Sequence, residues 1–128
     1  MTKEQLNELS RVGVAAAFEV HCTLGPGLLE SVYERASAFE LRLRGLDVQV
    51  QMDLPVFYKG VDLELDFRVD LLVESELVIE LKSIKEIQDV HFKQTLTYLR
   101  LADKRLGLLV NFNVPLFRDG VKRVVNHL

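Results

Sequence analysis

The sequence contains a single cysteine, Cys22, which rules out an intrachain disulfide and leaves too little sulfur for a cysteine metal site. Long apolar runs are missing as well. The longest, such as Leu106–Val110, falls far short of the roughly 20 residues a bilayer span needs. The opening Met-Thr-Lys-Glu-Gln has no apolar core of the signal-peptide kind. No internal repeat, low-complexity tract or linker interrupts the chain. These absences predict a cytoplasmic protein without membrane association.

With 128 residues, the chain has the length of one domain, and one compact core over residues 1–128 is expected. The net charge of −3 argues against indiscriminate binding to nucleic acid. That total hides a polarity. Residues 1–81 hold 7 basic against 15 acidic side chains, a balance of −8, whereas residues 82–128 hold 9 against 4, a balance of +5. Such a chain could offer carboxylates to a divalent cation from one half and a basic surface to a polyanion from the other. Scattered solvated charge is the plainer alternative.

Glu4 to Leu24 reads as a helix whose small residues, Val12-Gly13-Val14-Ala15-Ala16-Ala17, suit close packing, and Gly25-Pro26-Gly27 stops it. From Leu28 to Arg44 the apolar positions Leu29, Val32, Tyr33, Ala36 and Leu43 recur at helical spacing, with Gly45 as C-cap. A β-rich third follows. Val48 and Val50 alternate with glutamines, Val56-Phe57-Tyr58 runs into a Lys59-Gly60 turn, and Leu63, Leu65 and Phe67 alternate with charge. Val69–Val73 and Leu77–Leu81 look like two further strands around Glu74-Ser75-Glu76. A helix from about Ile87 to Asp103, a buried strand at Leu106–Val110 and a short element of either type at Val121–Val125 complete the chain. This order predicts a single-domain α/β fold, a mixed central β-sheet flanked by helices.

Three constellations carry polar chemistry. In the first, Glu80 and Lys82 are two apart on a strand and share a face, while Ile79 and Leu81 point the other way. Asp70 joins them only if the connection Glu74-Ser75-Glu76 pairs Val73 with Leu77; a two-residue turn would send the carboxylates to opposite faces. Two carboxylates and a lysine so placed suit Mg²⁺, which bridges protein oxygens to phosphate, with the lysine near water or developing charge. The alternative is ordinary cross-strand charge pairing of Asp70 and Glu80 with Lys82 and Arg68. The apolar settings Val69-Asp70-Leu71-Leu72-Val73 and Val78-Ile79-Glu80-Leu81 weigh against it, because an unpaired buried carboxylate is costly.

The second constellation is Gly27-Leu28-Leu29-Glu30-Ser31-Val32-Tyr33, where Glu30 sits in a first helical turn and Tyr33 and Glu34 lie beside it. Favourable interaction with the helix dipole is sufficient reason for Glu30 by itself. The third is Gln94-Thr95-Leu96-Thr97-Tyr98, in which Gln94 and Tyr98 share a helical face with His91 one turn earlier. A polar edge beside the stripe Phe92, Leu96 and Leu99 would look the same.

Taken together, these segments resemble a known family. Gly27-x-x-Glu30-x-x-Tyr33 looks like the signature of the GxxExxY proteins, a bacterial group within the PD-(D/E)XK nuclease superfamily. The resemblance runs from about Leu24 to Asn126, through Phe67–Glu74, Ile79-Glu80-Leu81-Lys82 and Asn111-Phe112-Asn113-Val114-Pro115. It implies a restriction-endonuclease-like core in which Asp70 and Glu80 bind Mg²⁺ or Mn²⁺, helped by the Leu81 carbonyl, and Lys82 assists the attacking water. Glu30 would complete the metal site. Gln94 and Tyr98 are similar to the helix motif beside the active site of recombination-helicase nuclease domains, which implies a role in positioning nucleic acid. Val69 stands where the superfamily name has proline.

Two functions compete at this level. One is a Mg²⁺-dependent nuclease acting on DNA, favoured by the intact set of Asp70, Glu80, Lys82 and Glu30. The other is a catalytically inactive module of the same fold that binds protein or nucleic acid, favoured by the acidic balance. An acidic chain of this size would bind DNA weakly alone, so a homodimer or a partner protein is an expected accompaniment.

Overall fold

Thr2 starts the first helix: its hydroxyl accepts the Gln5 N–H at 3.1 Å, and Gln5 Oε1 accepts the Thr2 N–H at 2.8 Å. The structure, a computed structural model, describes residues 1–128, and in it this helix, α1, runs from Lys3 to Leu24. Its buried stripe of Leu6, Leu9, Gly13, Ala16, Ala17 and Val20 follows helical spacing. The small residues let it lie close on the sheet. A β-carbon on Gly13 would sit 3.1 Å from Leu77 Cδ2 and 3.2 Å from Leu108 Cδ1.

Helix α2 spans Glu30–Leu43 and α3 spans Asp89–Ala102. The sequence pattern had suggested Leu28 as the start of α2. The structure begins it two residues later, because the Leu28 N–H is taken by the Tyr33 hydroxyl and its carbonyl accepts from Ser83 Oγ. The expected role of His91 also changes. Its Nδ1 accepts the Gln88 N–H at 2.9 Å and caps α3.

Five strands form one sheet in the order β1-β2-β3-β4-β5, namely Val48–Tyr58, Val61–Val73, Leu77–Lys82, Leu106–Asn111 and Val121–Val125. The β3–β4 pair is parallel, with α3 as its crossover, and the other pairs are antiparallel. The four short β segments suggested between Val48 and Val73 are in fact two long strands. β1 continues through Pro55, which it can do because β1 is a sheet edge where a missing N–H is tolerated. The ambiguous last element is a strand. No helix is long and apolar enough to cross a membrane.

Helices α1 and α2 cover one face of the sheet and α3 the other, so there are two cores. Leu77, Ile79, Leu81, Leu106, Leu108 and Val110 fill the first; burying each contributes about 1.5–3 kcal/mol. Val78, Leu109 and Val124 meet Leu99 in the second. Along β2 the alternation breaks at one place. Leu71 packs in the first core and Val69, two residues away, in the second. Between them is Asp70. Opposite Asp70 on β1 is Gln51, which has φ 52° and interrupts the regular pairs Val50↔Leu71 and Met52↔Val69.

At this point the sheet forks. β2 pairs with β3 only over Leu71–Val73 and Ile79–Leu77, while β2 continues beyond with β1 as a two-stranded arm. The arm leans over α3, with Phe67 stacked on Tyr98 at 4.9 Å and Met52 and Leu54 against the second core.

Candidate active site

The turn joining β2 to β3 decides the geometry. Glu74 and Ser75 both have positive φ, and the Glu76 N–H donates to the Val73 carbonyl at 3.0 Å. Val73 pairs with Leu77, so the connection is the three residues Glu74-Ser75-Glu76. This is the register that brings Asp70 and Glu80 together, and their groups interlock. The Leu81 N–H donates to Asp70 Oδ2 at 2.8 Å, and the Asp70 N–H donates to Glu80 Oε1 at 3.3 Å. Each carboxylate thus takes up a backbone donor that the fork leaves without a strand partner.

Glu80 is only 7% exposed. Burial, and then the neighbouring Asp70 charge, push its pKa up to about 8, against the opposing pull of Lys82. Lys82 is half-buried at the end of β3 and forms no ion pair. Arg68 pairs with Asp53 at 2.9 Å. The cross-strand pairing that could have explained Asp70 and Glu80 as structural charges is therefore absent.

The remaining candidates surround the fork at different distances. Glu30 Oε2 accepts the N–H of Ser83, the residue after Lys82, at 3.3 Å. It is an exposed residue whose side chain reaches the end of β3. In the metal-free chain no three His, Cys, Asp or Glu side chains gather tightly enough to form a preformed ligand set. Two carboxylates still suit Mg²⁺, which keeps several waters and is held by one or two carboxylates plus phosphate oxygens. A buried carboxylate beside a second one, with its pKa raised, is a donor set whose repulsion a cation relieves.

Tyr98 faces the same region. Burial and then the Glu80 charge raise its pKa, and Gln94 Nε2 donates to its hydroxyl at 3.0 Å. The Gln94 and Tyr98 pair is thus assembled on α3, and Tyr98 senses the charge of both carboxylates. Tyr33, by contrast, works for the fold. It is fully buried and stacks on Phe112 at 4.4 Å. Its hydroxyl donates to the Gly25 carbonyl at 2.6 Å and accepts the Leu28 N–H at 3.1 Å. Gly27 supplies the φ of 96° that this turn needs. The spacing from Gly27 to Tyr33 therefore fixes the turn that delivers Glu30 to Ser83.

Asn111 secures the loop on the other side. It is buried, and its side chain accepts the Ile84 N–H at 3.1 Å and donates to the Ile84 carbonyl at 2.9 Å.

Two residues at the fork escaped the sequence reading. Gln51 Nε2 donates to Glu34 Oε2 at 2.5 Å and to Asp70 Oδ1 at 3.2 Å. Burial raises the Glu34 pKa, the Gln51 hydrogen bond opposes the rise, and the Asp70 charge adds to it. A signal for Glu34 was present: Glu30 and Glu34 are like charges four apart on a helix, a destabilising spacing unless something else holds them. Gln51 had none, since it differs from Gln49 only in its backbone.

Comparison with known proteins adds one finding. No curated protein matches the chain significantly. The family model of the PD-(D/E)XK nuclease superfamily matches residues 7–124, nearly the whole length, and that stretch contains the forked sheet, both carboxylates and Lys82. The chain belongs to the PD-(D/E)XK nuclease superfamily.

Proposed function

We propose that this protein is a Mg²⁺-dependent nuclease, with Mn²⁺ able to substitute, that hydrolyses phosphodiester bonds in nucleic acid, DNA being the expected substrate. We further place it in the GxxExxY group, on the strength of Gly27, Glu30 and Tyr33. The observation that carries this reading is the interlocked pair Asp70 and Glu80 in the fork, next to Lys82, which forms no ion pair. A purely structural carboxylate pair would be matched with cations; here burial and the Asp70 charge make Glu80 hold a proton instead, one that a bound cation would displace.

Asp70 and Glu80 would hold the cation, with Glu30 as an outer member and the Leu81 carbonyl as the further ligand the family resemblance implies. When bound there, Mg²⁺ supplies Lewis acidity towards water and neutralises charge on the phosphoryl oxygens. Lys82 brings an ammonium group to the edge of this site, where it orients the attacking water or meets charge building up on the phosphate. Glu80 must lose its proton to serve as a ligand, so raising the pH favours the working form. Gln94 and Tyr98 offer an amide and a hydroxyl to the nucleic acid from α3. The basic excess of residues 82–128 supplies counter-charge for its backbone.

The test is cleavage of end-labelled single- and double-stranded DNA and RNA by the purified protein at millimolar Mg²⁺ or Mn²⁺. Wild type should cut, Asp70→Asn and Lys82→Ala should not, and EDTA should stop the reaction. A wild-type protein that binds nucleic acid but cuts none of the substrates, with either ion, would favour the inactive binding module.

A further inference from the structure

Gln51 and Glu34 have no part in the chemistry assigned to Asp70, Glu80 and Lys82, yet they are bonded to it. The two protons of the Gln51 side-chain amide face two carboxylates, Glu34 Oε2 at 2.5 Å and Asp70 Oδ1 at 3.2 Å. That leaves only one sensible amide orientation, because a carbonyl oxygen in the same place would confront two acceptors. Asp70 is thereby held at both oxygens, Oδ1 by Gln51 and Oδ2 by the Leu81 N–H at 2.8 Å. The strand departs from regular geometry to arrange this. Gln51 is a non-glycine residue at φ 52°, placed opposite Asp70 where β1 and β2 lack a regular bridge. Glutamine has no special tolerance for that conformation, which costs about 1–2 kcal/mol in a residue with a β-carbon.

We infer that Gln51, oriented by Glu34, is a positioning residue for Asp70: it fixes the plane in which that carboxylate meets a divalent cation. The inference rests on the proposed cation site and names two residues that serve it without being ligands. Contacts of this kind orient the groups that do bind metal, and their loss costs about 10- to 100-fold in affinity.

Gln51→Asn is the informative variant. Asparagine accepts positive φ more readily than glutamine, so the backbone is kept or eased, but its side chain is one methylene shorter and cannot span Glu34 and Asp70. Two measurements decide the matter. In the metal-free protein, the Gln51 side-chain amide resonances should be shifted and slow to exchange, and Glu34→Gln and Asp70→Asn should each move them. In a Mn²⁺ titration followed by melting temperature, Gln51→Asn should start from a metal-free melting temperature equal to or above that of wild type. Its half-effect concentration should be about tenfold higher. Glu34→Gln, which frees the amide to flip, should move the midpoint in the same direction. A freely exchanging Gln51 amide overturns the inference. So does a Gln51→Asn titration equal to wild type when Asp70→Asn has lost the response, and in that case the cation site stands. A metal-free Gln51→Asn that is clearly less stable than wild type would make Gln51 a fold residue and also overturns it. If wild type shows no Mn²⁺ response, the cation site itself falls, and the positioning role falls with it.

Discussion

The Leu81 backbone N–H donates to the Asp70 side chain at 2.8 Å, at the point where β2 and β3 cease to pair. A carboxylate thus replaces the strand carbonyl that this N–H would meet in an unbroken ladder. The fork and the candidate site are consequently one structural feature. Opening the sheet exposes polar backbone, and the Asp70 and Glu80 side chains satisfy it.

Stability should respond to pH through Glu80. Its pKa of about 8 in the folded chain lies above the roughly 4.3 of an unfolded glutamate. The folded state therefore binds the proton more tightly, and the stabilisation is fully present below about 4.3 and is lost as pH rises through about 8. Metal-free wild type should lose about 10–20 °C more in melting temperature than Glu80→Gln between pH 5 and pH 9. Parallel melting curves for the two proteins would contradict this.

Cation and proton compete for the same carboxylate. The rise in melting temperature at fixed Mg²⁺ should be small at pH 6 and grow towards pH 9, with apparent affinity increasing roughly tenfold per pH unit below about 8. Glu80→Gln should show no such growth. A pH-independent rise would place the cation elsewhere.

Tyr33 predicts a stability effect separate from chemistry. Tyr33→Phe keeps the stack on Phe112 but leaves the Gly25 carbonyl and the Leu28 N–H without their partner. Urea unfolding should show a loss of about 2 kcal/mol with an unchanged m-value.

Tyr98→Phe should act on substrate instead. The stack on Phe67 survives and the hydroxyl held by Gln94 is lost. Cleavage should show a higher KM for nucleic acid, while the Mn²⁺ melting titration remains that of wild type. A changed Mn²⁺ midpoint would put the hydroxyl in the cation site.

The fold was legible where local chemistry is unambiguous. Gly25-Pro26-Gly27 ends α1 as expected, whereas the register on which Asp70 and Glu80 depend is open in the sequence and is settled by the Val73↔Leu77 pair. The continuity of β1 and β2 was hidden, because Pro55 and the charges of the arm read as strand breaks when sheet-edge position is unknown. Within the site, Asp70, Glu80 and Lys82 announce themselves by polar chemistry in apolar strands. Gln51 and Glu34 do not, since they meet only because α2 crosses β1 and because Gln51 adopts a left-handed backbone. The helix start shifted to Glu30 itself, and its side chain went to the Ser83 N–H.

The central claim is that Asp70 and Glu80 together hold a divalent cation. Its most direct test is anomalous diffraction from crystals soaked in MnCl₂. A Mn²⁺ peak is expected in the fork, within about 2.0–2.3 Å of one carboxylate oxygen from each residue, and it should disappear in Asp70→Asn. A map with no peak between Asp70 and Glu80 at tens of millimolar Mn²⁺ and pH 8.5 would contradict it.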